Sequence, residues 1–99
     1  MKTPLNINLK GKTAVVTGGG GVLCSEFSKA LAHNGAAVAV CDLRAESAEA
    51  VAKAIRDEGG RAIAVACNVL EKDSLEAAKA KINAEFGPVD ILLNGAGGN

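Results

Sequence analysis

The chain has 99 residues, of which 11 are basic and 11 acidic, so its formal net charge is zero. This length allows one domain with a modest core, and an apolar fraction of 48% excludes a disordered chain. The charge balance argues against a nucleic-acid or membrane-surface partner, since both require a basic excess or stripe. Aromatic residues make up only 2%, with no Trp or Tyr, which excludes base-stacking platforms and tyrosine chemistry within these residues.

The three cysteines, Cys24, Cys41 and Cys67, are odd in number and form no CxxC pair. Each lies in an apolar run, which favours buried free thiols in a reducing cytoplasm, and a zinc site needs more ligands at closer spacing. No apolar run approaches the ~18 residues of a membrane span, and the first nine residues lack the apolar core of a signal peptide. We therefore expect a soluble cytoplasmic protein without a bound metal.

Two strand-and-helix units are predicted in the first part of the chain. The β-rich run 13–17 stops at a block of four glycines, and the helix after it should end at Gly35, a C-terminal cap. The continuous apolar run 36–41 is a second strand, closed by Asp42, and the second helix ends at the glycine pair 59–60. The helical period predicts the buried stripes of the two helices: Leu23, Phe27, Ala30 and Leu31, then Ala48, Val51, Ala52 and Ile55.

A third unit and a fourth strand follow. The run 62–67 is apolar, and the third helix starts with Asp73 as N-cap and Glu76 three residues later, as in a capping box. A Gly-Pro pair closes that helix, and the last strand, 89–93, ends at Asn94. The helical period predicts its buried stripe: Leu75, Ala78, Ile82 and Phe86.

The predicted order is therefore β-α-β-α-β-α-β. Three of the strands are apolar on both faces, as parallel strands are when helices cover both sides, and right-handed crossovers then give a doubly wound parallel sheet. Four strands and three helices make only the first part of a full sheet of this kind, and a further helix should cover the sheet after the last strand. Residues 1–99 are expected to form the amino-terminal portion of one larger domain.

Glycines 18–21 occupy the turn between the first strand and the first helix. Backbone without side chains lets a phosphate approach, and the following helix offers free N–H groups and the positive end of its dipole. A tight strand-to-helix turn is the simpler explanation, but it does not need four glycines in succession. The block favours phosphate binding, and a P-loop is excluded because no Lys-Ser/Thr pair follows at the required offset.

Asp42 follows the second strand, at the same end of the predicted sheet. A carboxylate there can accept both hydroxyls of an adenosine ribose and repels a 2′-phosphate. The alternative role is an N-cap for the next helix, but the neighbouring glycine turn favours the ribose. Arg44 lies nearby and could soften the exclusion of a phosphorylated ribose. Because the turn itself has no Lys or Arg, NAD is favoured over NADP.

The ends of the third and fourth strands complete this edge. Asn68 could hydrogen-bond the edge of an adenine and Val69 could pack on its face, although Asn is also common in turns. The small residues 94–99 after the fourth strand leave room for a flat ligand.

Together these pieces resemble the amino-terminal part of the short-chain dehydrogenase/reductase family, over nearly all of residues 8–99. The resemblance rests on these motifs: Gly11-Lys12, the turn from Thr17-Gly18, Asp42, Asn68-Val69, and Val89-Asp90-Ile91-Leu92-Leu93-Asn94-Gly95-Ala96-Gly97. It implies a Rossmann fold that binds a nicotinamide dinucleotide. It also implies a set of contacts with the dinucleotide: Gly18, Gly20, Gly21, Val22 and Leu23 at the pyrophosphate, Asp42 at the adenosine ribose, Asn68 and Val69 at the adenine, and Asn94, Ala96 and Gly97 at the central part.

The sequence departs from the family pattern at two motifs. The family's turn reads Thr-Gly-x-x-x-Gly-x-Gly, whereas Val22 and Cys24 stand at its last two glycine positions. The family's Asn-Asn-Ala-Gly reads Asn94-Gly95-Ala96-Gly97 here. The glycine block followed by Val-Leu, with the final Gly-Gly-Asn, is similar to family members of the mannonate or fructuronate oxidoreductase type, which act on sugar acids.

The resemblance implies an NAD(P)-dependent oxidoreductase that acts on a hydroxyl/carbonyl pair of a small molecule and forms a homo-oligomer when full length. The family's chemistry uses a Ser and a Tyr-x-x-x-Lys pair, and the chain has no Tyr, so no catalytic residue is predicted within it. Two alternatives stay open: a non-catalytic dinucleotide-binding module or truncated fragment, and a methyltransferase, which also pairs a glycine turn with an acidic residue after the second strand. The four glycines and the end of the last strand suit a dinucleotide better than a methyltransferase ligand.

Overall fold

The computed structural model describes residues 8–18, 22–68 and 70–95, with the side chains of all but Val22 and Leu23. Helices alternate with strands in these residues, as predicted from the sequence. The bounds of the first strand match the predicted run 13–17. Those of the other three strands differ by one or two residues, because backbone pairing and not side-chain pattern decides where a strand ends. The elements are β1 (Thr13–Thr17), α1 (Val22–His33), β2 (Ala37–Asp42), α2 (Ala45–Asp57), β3 (Arg61–Ala66), α3 (Lys72–Phe86) and β4 (Ile91–Asn94).

The strands form one parallel sheet in the order β3-β2-β1-β4. β1 pairs with β2 on one side and with β4 on the other, so Thr17 lies opposite both Cys41 and Asn94. The chain builds the sheet from β1 in one direction through β2 and β3, and then returns to the other side of β1. This is the doubly wound, Rossmann-like topology predicted from the sequence, and its order reverses between β1 and β4.

Helices cover both faces of the sheet, and each face has its own apolar core. Val16 belongs to the core formed with α1 and α2, which includes Ile55. Val15 belongs to the core on the other face, which includes Ile82 of α3. Successive side chains of a strand point to opposite faces, so the whole of β1 is buried, as expected for a strand that is apolar on both sides. No helix in the described residues is both long and apolar enough to cross a membrane.

The predicted inner stripe of α1 is partly wrong. Phe27 is 47% exposed, whereas Ser28 is fully buried. The Ser28 hydroxyl donates to the Cys24 carbonyl (2.9 Å), so it enters the core without leaving an unpaired polar group. Leu31 does pack against the core. The stripe predicted for α2 is confirmed, since its buried residues are Ala48, Val51, Ala52 and Ile55.

The start of α3 also differs from the prediction. The N-cap residue is Glu71, and Asp73 lies in the first turn of the helix, so Asp73 is not the N-cap. The amide of Leu75 donates to the Glu71 carbonyl (3.1 Å), which begins the helical hydrogen bonding ahead of Asp73. The centre of the predicted stripe is confirmed by two buried residues, Ala78 and Ile82.

Gly35 follows the end of α1, as predicted, in a conformation that disfavours a side chain. Its φ is +107°, and the amides of Gly35 and Ala36 close the helix on the carbonyls of Ala32 and Leu31 (3.0 and 3.1 Å). A Cβ at this position would lie 2.9 Å from the backbone nitrogen of Lys10. The segment before β1 therefore packs directly on this glycine.

Gly35→Ala is expected to destabilise the protein more than Gly59→Ala. Gly59 also has a positive φ, +90°, which costs an L-residue ~1–2 kcal/mol, but a Cβ there has no atom within 4 Å. Only the Gly35 variant adds a clash with the Lys10 backbone to the cost of the conformation. Urea unfolding of the two variants measures the difference, and equal losses of unfolding free energy would contradict the role of this contact.

Candidate functional site

The carboxyl ends of the parallel strands meet at one edge of the sheet. Thr17 ends β1, Asp42 ends β2, and Asn94 ends β4. The amide of Cys67 donates to the Asp42 carbonyl (2.9 Å), which carries the pairing past β3 and brings Asn68 to the same edge. The structure thus places together the described residues that the sequence analysis assigned to the strand ends.

The ends of β1 and β4 are tied to each other by two hydrogen bonds. The Thr17 hydroxyl donates to the Asn94 side-chain oxygen (2.8 Å), and the amide of Gly95 donates to the Thr17 carbonyl (3.0 Å). These bonds hold the two strand ends side by side where the strand order reverses. Sequence reasoning named Asn94 for this place and named Thr17 as part of the turn motif, but did not predict the hydrogen bond between the two side chains.

The turn after β1 leads to the positive end of α1. Gly18 has a φ of +68°, which a glycine adopts without strain, and it directs the chain out of β1 at this edge. Val22 and Leu23 form the first turn of α1, so their backbone amides belong to the helix N-terminus that the sequence analysis expected to face an anion. Gly20 and Gly21 lie outside the described residues, as do Val69, Ala96 and Gly97.

The Asp42 carboxylate is oriented by the bend that follows β2. Its Oδ1 accepts a hydrogen bond from the amide of Arg44 (3.0 Å), and its side chain is half-buried. The Arg44 guanidinium lies 3.7 Å from the Glu46 carboxylate, and both side chains are largely exposed. A negative charge is therefore fixed at the end of β2, and the neighbouring cation has an acidic partner of its own.

Asn68 is held in a turn between β3 and α3. Its Oδ1 accepts a hydrogen bond from the backbone amide of Leu70 (3.0 Å), and the backbone amide of Asn68 donates to the Ser74 hydroxyl (2.9 Å). The side-chain oxygen is thus engaged locally, and the NH₂ group is the part that can face a ligand. Ser74 was missed by sequence reasoning, although a Ser in the first turn of a helix that follows a strand is a common partner for such a turn.

Two thiols lie behind this edge in the core on the α3 face. Cys41 precedes Asp42, Cys67 precedes Asn68, and both are buried. Burial, with a further contribution from Cys67, raises the pKa of the Cys41 thiol to about 12. At neutral pH Cys41 is therefore an uncharged core side chain and not a nucleophile. All three cysteines are free thiols, and Cys24 is half-buried, where the sequence predicted full burial.

A cavity at the other edge of the sheet is too small for a nucleotide. It has a volume of about 40 Å³ and lies between the ends of α1 and α2, where Lys29, His33 and Glu58 are among its lining residues. Within the part of the chain that the structure describes, no group of three or more His, Cys, Asp or Glu side chains could hold a metal ion. The described strand ends present backbone amides, the Asp42 carboxylate, the Thr17 hydroxyl and the side-chain amides of Asn68 and Asn94.

Comparison with known proteins gives a family match over most of the chain. The family described as short chain dehydrogenase matches residues 12–99. An oxidoreductase of Bacillus subtilis named UxuB, itself uncharacterized, is 55% identical over 97% of this chain and 34% of its own length. D-threitol dehydrogenase of Mycolicibacterium smegmatis is 38% identical over 98% of this chain and 37% of its own length.

A solved structure extends the likeness to three dimensions. A protein of Haemophilus influenzae, provisionally assigned as a D-mannonate oxidoreductase and crystallised with bound NAD, is 48% identical and superposes with a TM-score of 0.91. The match covers 95% of this chain and 34% of that protein. The chain thus spans about a third of the length of the proteins that it matches.

The free energy of unfolding is expected to fall as the pH rises above 9. An unfolded thiol loses its proton near its ordinary pKa of 9.0, whereas folded Cys41 keeps its proton up to about pH 12. Between these values the folded state binds more protons than the unfolded state. The stability contributed by Cys41 is therefore complete below pH 9 and is lost towards pH 12, with a slope of at most ~1.4 kcal/mol per pH unit.

Urea unfolding between about pH 8 and pH 11 measures this slope. Cys41→Ala should lack the contribution of the thiol. Val40→Ala is the matched control, because it also removes buried side-chain volume from β2 but leaves the thiol in place. An unchanged alkaline slope in Cys41→Ala would contradict the raised pKa.

Proposed function

The chain belongs to the short-chain dehydrogenase/reductase family, and on that premise we propose that it forms the dinucleotide-binding part of an NAD(P)-dependent oxidoreductase. Residues 1–99 would be the amino-terminal portion of a single Rossmann domain. The reaction would transfer a hydride between the coenzyme and a hydroxyl/carbonyl pair of a small molecule. The observation that carries the proposal is the position of Asp42, whose carboxylate is fixed at the same sheet edge as Gly18 and the N-terminus of α1.

Each part of the dinucleotide would meet a group of matching chemistry. The pyrophosphate would lie against the turn and the first residues of α1, where backbone amides and the helix dipole favour a negative charge. Asp42 would accept hydrogen bonds from the two hydroxyls of the adenosine ribose, and the side-chain NH₂ group of Asn68 would donate a hydrogen bond to the adenine. We extend the proposal to the remaining candidates by the family motif: Gly18, Gly20, Gly21, Val22 and Leu23 at the pyrophosphate, Val69 at the adenine, and Asn94, Ala96 and Gly97 at the centre of the dinucleotide.

NAD is the proposed coenzyme in preference to NADP. A 2′-phosphate on the adenosine ribose would meet the Asp42 carboxylate, and two negative charges in close contact repel each other. Arg44 is the nearest candidate to offset that repulsion, but its guanidinium lies beside Glu46 at 3.7 Å. An acidic partner lowers the benefit that Arg44 could give to a phosphate.

No residue of the chain is proposed as catalytic, since the family's acid–base Tyr has no counterpart in a sequence without Tyr. The role of these residues is to bind and orient the coenzyme. A sugar acid is the proposed substrate class, supported by the likeness to the Haemophilus influenzae protein. The three free thiols suit a reducing cytoplasm, where we place the protein, and we expect a homo-oligomer, as the family resemblance implies.

A dinucleotide-binding module without chemistry is the second candidate. It rests on the same site geometry, because every residue assigned to the site would bind the coenzyme and none would contact a substrate. The two candidates differ in turnover and not in binding. Family membership removes the methyltransferase alternative.

Calorimetric titration of the protein expressed from its complete gene, with NAD and NADP in turn, tests the proposed binding. The same preparation should reduce NAD in the presence of a sugar acid such as mannonate, followed by the absorbance of NADH. Binding without turnover on sugar acids, alditols and other secondary alcohols would favour the non-catalytic module. Failure to bind either coenzyme would overturn the proposed function.

Asp42→Asn is expected to weaken NAD binding about tenfold and to reduce the preference for NAD over NADP by at least as much. The substitution keeps an oxygen that can accept from the Arg44 amide, so the bend after β2 is retained while the charge is lost. Asp57→Asn is the matched control, because it removes an exposed carboxylate that pairs with Lys53 at the far end of α2. If the Asp42 substitution leaves the affinity for NAD and the affinity for NADP unchanged, the ribose assignment is contradicted.

A further inference from the structure

The end of β4 lies in direct contact with the start of α1. The amide of Gly95 donates to the Thr17 carbonyl (3.0 Å), which brings the backbone of residue 95 under the first turns of the helix. A Cβ built on Gly95 would overlap the Sγ atom of Cys24, while lying 3.8 Å from the Cβ of Cys24. The thiol group therefore fills the space that a side chain at position 95 would need.

The backbone conformation of Gly95 does not require a glycine. The described glycines with positive φ are Gly11, Gly18, Gly35, Gly59 and Gly87, and Gly95 is not among them. A residue with a side chain could therefore adopt its conformation. The Thr17 carbonyl oxygen would lie 3.2 Å from a new Cβ, so a side chain here requires a shift of a few tenths of an ångström at the strand end. The Cys24 thiol is the more severe obstacle, because a new Cβ would overlap its sulfur.

Cys24 is held in place by the helix that carries it. Its carbonyl accepts the hydroxyl of Ser28 (2.9 Å), and its side chain packs against the core between the sheet and α1. The contact with Gly95 can therefore be relieved only by turning the thiol out of this packing or by moving the end of β4. Of the three positions that depart from the family pattern, Val22, Cys24 and Gly95, the last two meet at this one contact.

We propose that Cys24 and Gly95 are a complementary pair of positioning residues, in which the Cys24 thiol and the missing side chain of Gly95 together set the spacing between the start of α1 and the end of β4. The proposal rests on the proposed function, since these two elements border the crevice for the dinucleotide. Neither residue is assigned a contact with the coenzyme. The pair acts through the helix N-terminus on one side and through the Thr17 and Asn94 strand ends on the other.

The test is a double-substitution cycle on the protein expressed from its complete gene, with the Kd for NAD as the measured quantity. Gly95→Ala should raise the Kd about tenfold, and Cys24→Ala alone should change it less than about threefold. The double variant Cys24→Ala/Gly95→Ala should return to within about threefold of the unsubstituted protein, because two Cβ atoms at 3.8 Å are in ordinary contact.

Gly60→Ala is the matched control for overpacking as such. A Cβ there would lie 2.7 Å from the Cγ2 atom of Ile55, at the opposite edge of the sheet from the strand ends. It should lower the melting temperature without raising the Kd for NAD. If Gly95→Ala does not fold, recovery of folded, NAD-binding protein in the double variant supports the pair.

Two outcomes overturn the pair and are distinguishable from failure of the proposed function. Additive effects of the two substitutions on the Kd, or a double variant that fails to fold while Cys24→Ala folds, would overturn the pair alone. If the unsubstituted protein does not bind NAD, the proposed function fails, and the positioning role fails with it.

Discussion

The site depends on the pairing of β1 with a strand on each side. Because parallel pairing continues from β4 through β1 to β2, the end of each strand is fixed relative to Thr17, which lies opposite Cys41 and Asn94. A slip of one residue in this register would exchange Val15 and Val16 between two cores that are packed by different side chains, and would separate Thr17 from Asn94. Packing inside the sheet thereby determines the geometry at its edge.

The chemistry at that edge follows from backbone more than from side chains. The N-terminus of α1 presents amides and the positive end of a dipole, while Asp42 supplies a negative charge at the next strand. A ligand that fits both has an anionic centre and, beside it, a neutral group rich in hydroxyls. A dinucleotide has this pattern, and we propose NAD in preference to NADP because a 2′-phosphate would meet the Asp42 carboxylate.

Features that depend on local sequence could be predicted. The alternation of strands and helices, the cap at Gly35 and the buried stripe of α2 follow from short-range pattern, and Asp42 was placed correctly because strand ends of a parallel sheet share an edge. The exposure of Phe27 could not be predicted from the helical period alone. The Ser28 hydroxyl is satisfied within the helix, so α1 can turn Ser28 towards the core and leave Phe27 at the surface. The N-cap of α3 was misplaced for a related reason: a capping pattern at Asp73 competes with the turn at Asn68, and only the chain path decides between them.

Cys24 and Gly95 depart from the family motifs at positions that touch in the structure, so the side-chain volume at one position affects the space at the other. A glycine in the turn motif keeps the helix close to the strands, so a cysteine there, taken alone, predicts looser packing. In the structure the sulfur instead enters space that opens where the β4 motif has a glycine, and the close approach of Gly95 to Thr17 is kept. Interiors are close-packed, so a side chain at one of these two positions needs space that the other leaves open. The two positions are far apart in the sequence, and only the pairing of β4 with β1 makes them neighbours.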